Sequence, residues 1–420
     1  MKFTTTMKNE FHIIRAGLAA ILLGGAAAST AIAATQPREG LVVECRFEGN
    51  AIDSSGSQRH GTIHGRPWFA AGKSGQCIVL DGRQPVHAYR GATVQLEAVL
   101  ANEDMLPPGE YPVRIQVVGP ENLRVFEKTV TAKIPNPKGH PEPPLALPVF
   151  SETVSIDGPT GKYRLLATFD RGAAAAGGEI EFSVTDPADM PAVQNALVLW
   201  GDDPQLARWL AERGIRVKPF AQAADASREI ILAGAKPPSG AGAAEFTELA
   251  RRIASGSTAV FLCPAVFADG NQPTRWVPLA TKGTIARFNE CGGYYRGDAF
   301  AKRHAIFDGL PSGGILDYTF CREIIPQIAW CGLDPPAEVV SGAIRATLGY
   351  GSGLLVSVHD LGAGRFILNT LQIRETLGRD PVAERLLRNM LRYAARDAGK
   401  PLANLPGDFD RQLKAIGYAK

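Results

Sequence analysis

At Asp186-Pro187 the residue pattern changes, and that change constrains the fold more than any other feature of the chain. Downstream of it, short apolar runs alternate with amphipathic helical stretches. Residues 195–200 (NALVLW) read as a buried strand. Gly201-Asp202-Asp203-Pro204 then opens a helix, with Asp203 at the N-cap and Pro204 at the first helical position, where the absent N–H has no partner to lose. Leu206, Trp209 and Leu210 form its inward stripe, and Gly214 ends it. Further strands are expected over 215–219, 229–232 and 258–263. A second helix is expected over roughly 243–254, with Phe246, Leu249, Ala250 and Ile253 inside. Such alternation predicts a mainly parallel sheet covered on both faces. Later, residues 354–358 and 365–371 flank His359-Asp360-Leu361-Gly362-Ala363-Gly364 and read as a hairpin with a Gly-rich loop. A second Asp-Pro pair, Asp380-Pro381, starts a final helix that buries Val382, Leu386, Leu387, Met390 and Leu391. The tail after Asp397 carries weak order signals.

Upstream of Asp186 the pattern is β. Strands are expected over 93–100, 111–118, 125–132, 150–156, 163–169 and 179–184, separated by turns such as Pro107-Pro108-Gly109, Gly119-Pro120 and Asp157-Gly158-Pro159. Short regular strands of this kind predict an immunoglobulin-like β-sandwich over residues 86–186. The α/β domain then covers 187–396, and 397–420 is a C-terminal tail.

The N-terminus reads as a secretory signal over residues 1–33. Lys2, Lys8 and Arg15 precede or border a short apolar run, AGLAAILLGGAAA, and Ser29-Thr30-Ala31-Ile32-Ala33 ends in a small-x-small cleavage pattern before Ala34. The run is too short to span ~30 Å of hydrocarbon. The expected location is therefore secreted or periplasmic, with no membrane association after cleavage. The chain carries a formal net charge of +3, of which the signal contributes Lys2, Lys8 and Arg15 against Glu10. What remains is no footprint for nucleic acid. Six cysteines, Cys45, Cys77, Cys263, Cys291, Cys321 and Cys331, all follow the signal, and their spacing fits no zinc pattern. Cys45 with Cys77 is the most economical disulfide. The pairing of the other four stays open.

Two resemblances follow from particular stretches. Residues 47–82, with FEGNAIDSSG, HGT, GKSGQ and LDG, resemble the opening of LamG-like (concanavalin A-like) jelly rolls. The match stops near Asp81-Gly82, so residues 34–85 form a partial segment of a fold that needs roughly eight strands. The stretches LVLWGDDPQLARWL, TAVFLCPAVF, AKRHAIFDGLPSGGILDY and GAGRFILNT resemble class I glutamine amidotransferase-like domains at the C-terminal end of some family-2 glycoside hydrolases. The β segment, with VHAYRGATVQLEAVLANEDMLPPGEYPVRIQVVGP and SIDGPTGKYRLLATFD, looks like the accessory sandwich of those enzymes. The resemblance covers roughly residues 86–396. It implies β-sandwich segments followed by a Rossmann-like (glutamine amidotransferase-like) α/β domain, in a protein associated with carbohydrate.

Glycosidases of that family use two carboxylates on a (β/α)₈ barrel of ~250 residues. The chain assigns its length elsewhere, so no catalytic residue is assigned. Ligands of open α/β sheets bind outside the carboxyl ends of the strands. The polar residues expected there are Asp202, Asp203, Cys263, Glu290 and His359, with Asp317 in a loop-rich insert bearing Trp276, Tyr294, Tyr295 and Tyr318. Aromatics with carboxylates suit sugar rings and equally suit an interface. Cys263 ends a strand but lacks the glycines of a nucleophile elbow, and Pro264 removes an N–H where an oxyanion donor belongs. No metal site and no cofactor is expected, although Asp53 and Asp81 are candidate calcium ligands. The leading expectation is an exported, non-catalytic carbohydrate-binding or assembly module. A hydrolase, or a fragment of one, and a structural homo-oligomerisation module are the alternatives.

Overall fold

The structure, a computed structural model, describes residues 50–58, 68–71, 76–79, 87–101, 106–135, 146–170, 177–220, 227–287, 298–317, 320–345 and 351–419. Cys45, Asp81, Glu290, Cys291 and the whole signal segment lie outside them, as does the side chain of Cys77. The chain divides into two compact units, described here one at a time.

The first unit takes in most of the described residues up to Phe182, apart from a short piece near residue 89 and another near residue 160. It begins with a small antiparallel pair, β1 (Trp68–Ala71) and β2 (Gln76–Val79). The strand β3 (His87–Tyr89) belongs to the second unit. Then β4 (Thr93–Ala101) pairs with β7 (Ala146–Ser155) as one antiparallel sheet. A second sheet runs in the order β9 (Gly177–Thr185), β8 (Gly161–Phe169), β5 (Gly109–Val118), β6 (Arg124–Ile134). Period-two alternation buries Val94, Leu96, Ala98 and Leu100 from β4 and Val113, Ile115 and Val117 from β5. The rings of Phe126 and Phe150 meet at 5.8 Å between the two sheets. This is the arrangement of a β-sandwich. The buried Tyr163 explains two turn glycines: a Cβ on Gly119 would lie 2.6 Å from its ring, and one on Gly158 only 2.3 Å from its hydroxyl.

The second unit is built on a mixed sheet. Five strands lie parallel in the order β11 (Val217–Pro219), β10 (Leu197–Trp200), β12 (Ile230–Ala233), β13 (Thr258–Phe261), β20 (Gly364–Asn369). From β20 the sheet continues antiparallel through β19 (Gly351–Leu361), β18 (Glu338–Arg345), β15 (Ala299–Ala301) and β16 (Gly314–Ile315). A side branch pairs β14 (Lys282–Arg287) with β17 (Ile328–Leu333), which touches β19 at Trp330. The expectation of a mainly parallel sheet thus holds for the strands around β10, and the remainder is antiparallel.

Alternation along the parallel strands feeds two cores. Leu197, Ile230, Leu232, Val260 and Ile367 face one side, with Leu206 and Leu210 of α1 (Pro204–Glu212) and Leu386, Leu387 and Met390 of α4 (Pro381–Ala394). Val198, Trp200, Ile231, Phe261 and Phe366 face the other, with Phe246 and Ile253 of α2 (Ala243–Ala254) and Phe409 and Leu413 of α5 (Phe409–Ala415). A short helix, α3 (Ile373–Thr376), follows β20. The tail after Asp397 is therefore ordered in its packing. Phe409, Leu413 and Ile416 recur at the i, i+4 and i+7 spacing of an amphipathic helix, and that face packs into the core.

Candidate functional site

The carboxyl ends of β10, β12, β13 and β20 bring together Asp203, Cys263, Asn369, Arg374 and Glu375. Asp203 is the N-cap of α1, its Oδ1 accepting from the Leu206 N–H at 3.0 Å. Arg374 grips the same carboxylate with both arms, Nε to Oδ2 at 2.7 Å and Nη2 to Oδ1 at 2.6 Å, and also reaches Gln205 Oε1 at 3.2 Å. The Ala235 N–H donates to Oδ2 at 3.3 Å. Burial opposes the charge on Asp203, but Arg374 and the two amides outweigh it and hold the carboxyl below the usual range. Asn369, buried, ties the strand ends by donating to the carbonyls of Leu262 and Leu371, each at 2.9 Å.

Cys263 sits half-buried where β13 gives way to a short 3₁₀ turn. Burial raises its pKa, and the nearby carboxylates of Glu375 and Asp203 add to this against the opposing effects of the Ala265 amide and Arg374. The described histidines are engaged elsewhere: His359 with Ser357, His304 with Glu338 at 2.8 Å, and His87 with the Phe320 carbonyl at 2.7 Å. Burial therefore favours the neutral thiol, and no described histidine lies beside it to act as a base. Alkylation of Cys263 by iodoacetamide should be slower at neutral pH than that of an exposed cysteine peptide. Its rate should keep rising with pH beyond the peptide's plateau, because the thiolate forms only above the ordinary thiol range. Fast labelling at neutral pH, lost in Cys263→Ser, would contradict this.

The other candidates do not join this cluster. Asp202 is its exposed neighbour in sequence and takes no part in the Asp203 bonds. Asp317 is exposed and caps a turn, accepting from the Phe320 N–H at 3.1 Å. His359 corrects the expectation most clearly. It lies within β19 rather than in the hairpin loop, which is reduced to Gly362 and Ala363. Because β19 runs antiparallel to β20, pairing His359 with Phe366 places it near the amino end of β20, away from Cys263. It is 2% exposed, stacked on Phe366 at 5.1 Å and bonded to Ser357 Oγ at 3.1 Å. Glu290 and the Cys45–Cys77 pair fall outside the described residues.

Burial pushes the His359 pKa down to about 4, against the pull of Asp334 and Asp360. The unfolded chain, with an ordinary histidine near pH ~6.5, then binds the extra proton first. Stability from this group is full above that pH and falls as the pH drops toward the folded value, by roughly 3 kcal/mol in all. Urea melts at pH 7 and pH 4.5 should show a smaller difference for His359→Phe than for the wild type. An equal loss in both would remove His359 from the account.

No protein-family model matches the chain, and no curated protein matches it. Similar solved structures include the exo-β-1,4-mannosidase Op5Man5 from Opitutaceae bacterium strain TAV5, at 13% identity over 50% of this chain and 37% of that one, with a TM-score of 0.27. Another is the β-glucuronidase of Parabacteroides merdae, at 11% identity over 45% of this chain and 25% of that one, TM-score 0.17. A CARDB domain from Pyrococcus furiosus matches at 15% identity over 24% of this chain and 83% of that one, TM-score 0.18. The chain spans well under half the length of either glycosidase. It is distantly similar to parts of glycoside hydrolases.

Sequence reasoning missed Arg374, Glu375, Gln205 and Asn369. The signal available was the polar run that begins with Asn369 at the end of the strand GRFILN and continues into Arg374 and Glu375. Among the described residues, no group of three or more His, Cys, Asp or Glu side chains is placed to hold a metal ion. Asp53, the described member of the suggested calcium pair, accepts from the Ser55 N–H at 2.8 Å. No described helix is long and apolar enough to cross a membrane.

Proposed function

We propose that this is an exported, non-catalytic protein of carbohydrate metabolism, acting in binding or assembly. On this reading the first unit is an immunoglobulin-like accessory sandwich and the second a Rossmann-like, glutamine amidotransferase-like domain, both akin to the C-terminal modules of family-2 glycosidases. The strand order β11-β10-β12-β13-β20, with helices on both faces, supports the second assignment. The resemblance of the quoted stretches supports the link to carbohydrate.

The observation that carries the non-catalytic part is the state of two of the polar groups at the strand ends, Asp203 and Cys263; a third, Glu375, has its pKa raised by burial. Asp203 is spent on α1 and Arg374, and Cys263 is a thiol that burial keeps neutral, with no described histidine beside it. A hydrolase needs a free acid, base or nucleophile at a reacting atom. Chromogenic galactosides, glucuronides and mannosides should accordingly be turned over at the buffer rate, while an oligosaccharide panel should contain at least one ligand that raises the melting point. Turnover that copurifies with the protein and disappears in Cys263→Ala would replace this reading with the hydrolase. A panel with no stabilising sugar, together with a melting point that rises with protein concentration, would replace it with a structural oligomerisation module.

A further inference from the structure

His304 stands where the chain leaves β15 and makes a 3₁₀ turn, Ala305–Phe307, before returning to β16. Ile306 and Phe307 are sunk in the core, and the ring of His304 lies half-buried against them. Its Nδ1 accepts from the Ile306 N–H at 3.2 Å. A ring nitrogen that accepts carries no proton, so the proton of the neutral ring sits on Nε2. Nε2 then donates to Glu338 Oε2 of β18 at 2.8 Å. One nitrogen clasps the turn and the other clasps β18.

Glu338 is the anchor of this clasp. Its Oε1 accepts from the Tyr393 hydroxyl of α4 at 2.6 Å, and Arg365 Nη1 of β20 lies 3.5 Å from the same oxygen. Asp360 of β19 holds Arg365 Nε at 3.2 Å, and Arg396 lies over the Tyr393 ring at 4.1 Å. Lys302, Arg303 and Asp308, the charged residues of the turn segment itself, are exposed. Burial opposes the charge on Glu338, but the bonds from Tyr393 and His304 outweigh it and hold the carboxyl below the usual range. Burial and the bond to Glu338 push the Tyr393 phenol up to about 12. The imidazole of His304 is left as the group that takes up a proton in mildly acid solution. That proton has only Nδ1 to go to. It turns the acceptor into a donor and sets it against the Ile306 N–H, while the bond from Nε2 to Glu338 becomes charge-assisted.

We propose that His304 is a proton-operated clasp on the segment between β15 and β16. The neutral ring ties the turn to β18; the protonated ring stays on Glu338 and releases the Ile306 N–H. An asparagine or serine cap would hold the same turn at any pH, whereas this one holds only while its ring is neutral. The inference goes beyond the carbohydrate reading and does not depend on it, since the clasp lies by the amino end of β20, away from Cys263.

The test is a pH titration of the full-length protein carrying isotope-labelled histidine and isoleucine. Ring-nitrogen spectra report which nitrogen holds the proton, and amide exchange gives the protection of Ile306 relative to an unstructured peptide at each pH. The neutral ring should show its proton on Nε2. As the ring protonates, Ile306 protection should fall about fivefold, the factor that a lost N-cap bond makes, with the same midpoint as the ring. His304→Asn offers a carboxamide oxygen to the same N–H and has no ring to titrate, so its Ile306 protection should stay flat over that range. In Glu338→Gln the fall should follow the ring's titration to wherever that variant sets it. A neutral ring protonated on Nδ1 would overturn the proposal. So would wild-type protection that stays level while the ring titrates, or that falls equally in His304→Asn. If His304→Asn does not fold, the wild-type tautomer and the coincidence of the two midpoints decide the matter.

Discussion

A chain shortened to end at Ala403 is expected to lose the fold of the second unit. The deleted residues carry Phe409, Leu413, Ile416 and Tyr418, none more than 6% exposed. They complete the core that holds Phe246 and Trp276, two rings stacked at 5.0 Å. Tyr418 lies 5.8 Å from the Trp276 ring, and its hydroxyl donates to the Trp276 carbonyl. Each such side chain contributes about 1.5–3 kcal/mol on burial. Four together approach the ~5–15 kcal/mol net stability of an ordinary domain. Loss of soluble protein, or of the cooperative melt followed by circular dichroism, is the expected result. A shortened chain that melts within a few degrees of the full one would show the tail to be dispensable. Tyr418→Phe, which keeps the ring, should lose only about 1 kcal/mol.

Glu384→Ala should destabilise the second unit by roughly 3–5 kcal/mol, the scale for breaking a buried ion pair from one side. Glu384 has no solvent exposure. Its carboxylate receives the Tyr89 hydroxyl and Arg388 Nε, each at 2.8 Å, and lies 3.4 Å from Arg213 Nε. Removing it takes the carboxylate from the buried Arg388 and Tyr89 and from the half-buried Arg213. Burial beside this carboxylate also pushes the Tyr89 phenol far above its ordinary range, so the hydroxyl remains a donor. Tyr89→Phe should therefore lose about 1.5–3 kcal/mol, the worth of a hydrogen bond to a charged group. In the double variant the two losses should fall short of their sum, because they remove the same interaction. Urea melts of the four proteins measure this. A Glu384→Ala loss below about 1 kcal/mol would mean the cluster relaxes to take up water.

Tyr89 lies on β3, which pairs in parallel with residues 183–185 and packs within the second unit. The expected bounds of the sandwich, residues 86–186, include Tyr89, and no local pattern marks which partner buries it.

Where structure follows from neighbours in sequence, it was legible. Asp203-Pro204 and Asp380-Pro381 each set a helix start, and the side chains of both aspartates cap the first turn as their chemistry dictates. The short apolar runs LVLW and TAVF announced buried strands. The two-sided division into cores confirms it residue by residue. What depended on strand order was hidden. Arg374 meets Asp203 across 171 residues of chain only because β20 and β10 lie in one parallel sheet and end on the same side. His359 left the strand-end group because β19 runs the other way, a reversal that a period-two pattern does not encode. The sequence by itself determined the local elements, through caps, breakers and apolar period. The tertiary structure alone decided which polar groups meet, because a buried charge is settled by whatever donors the packing of distant segments delivers to it.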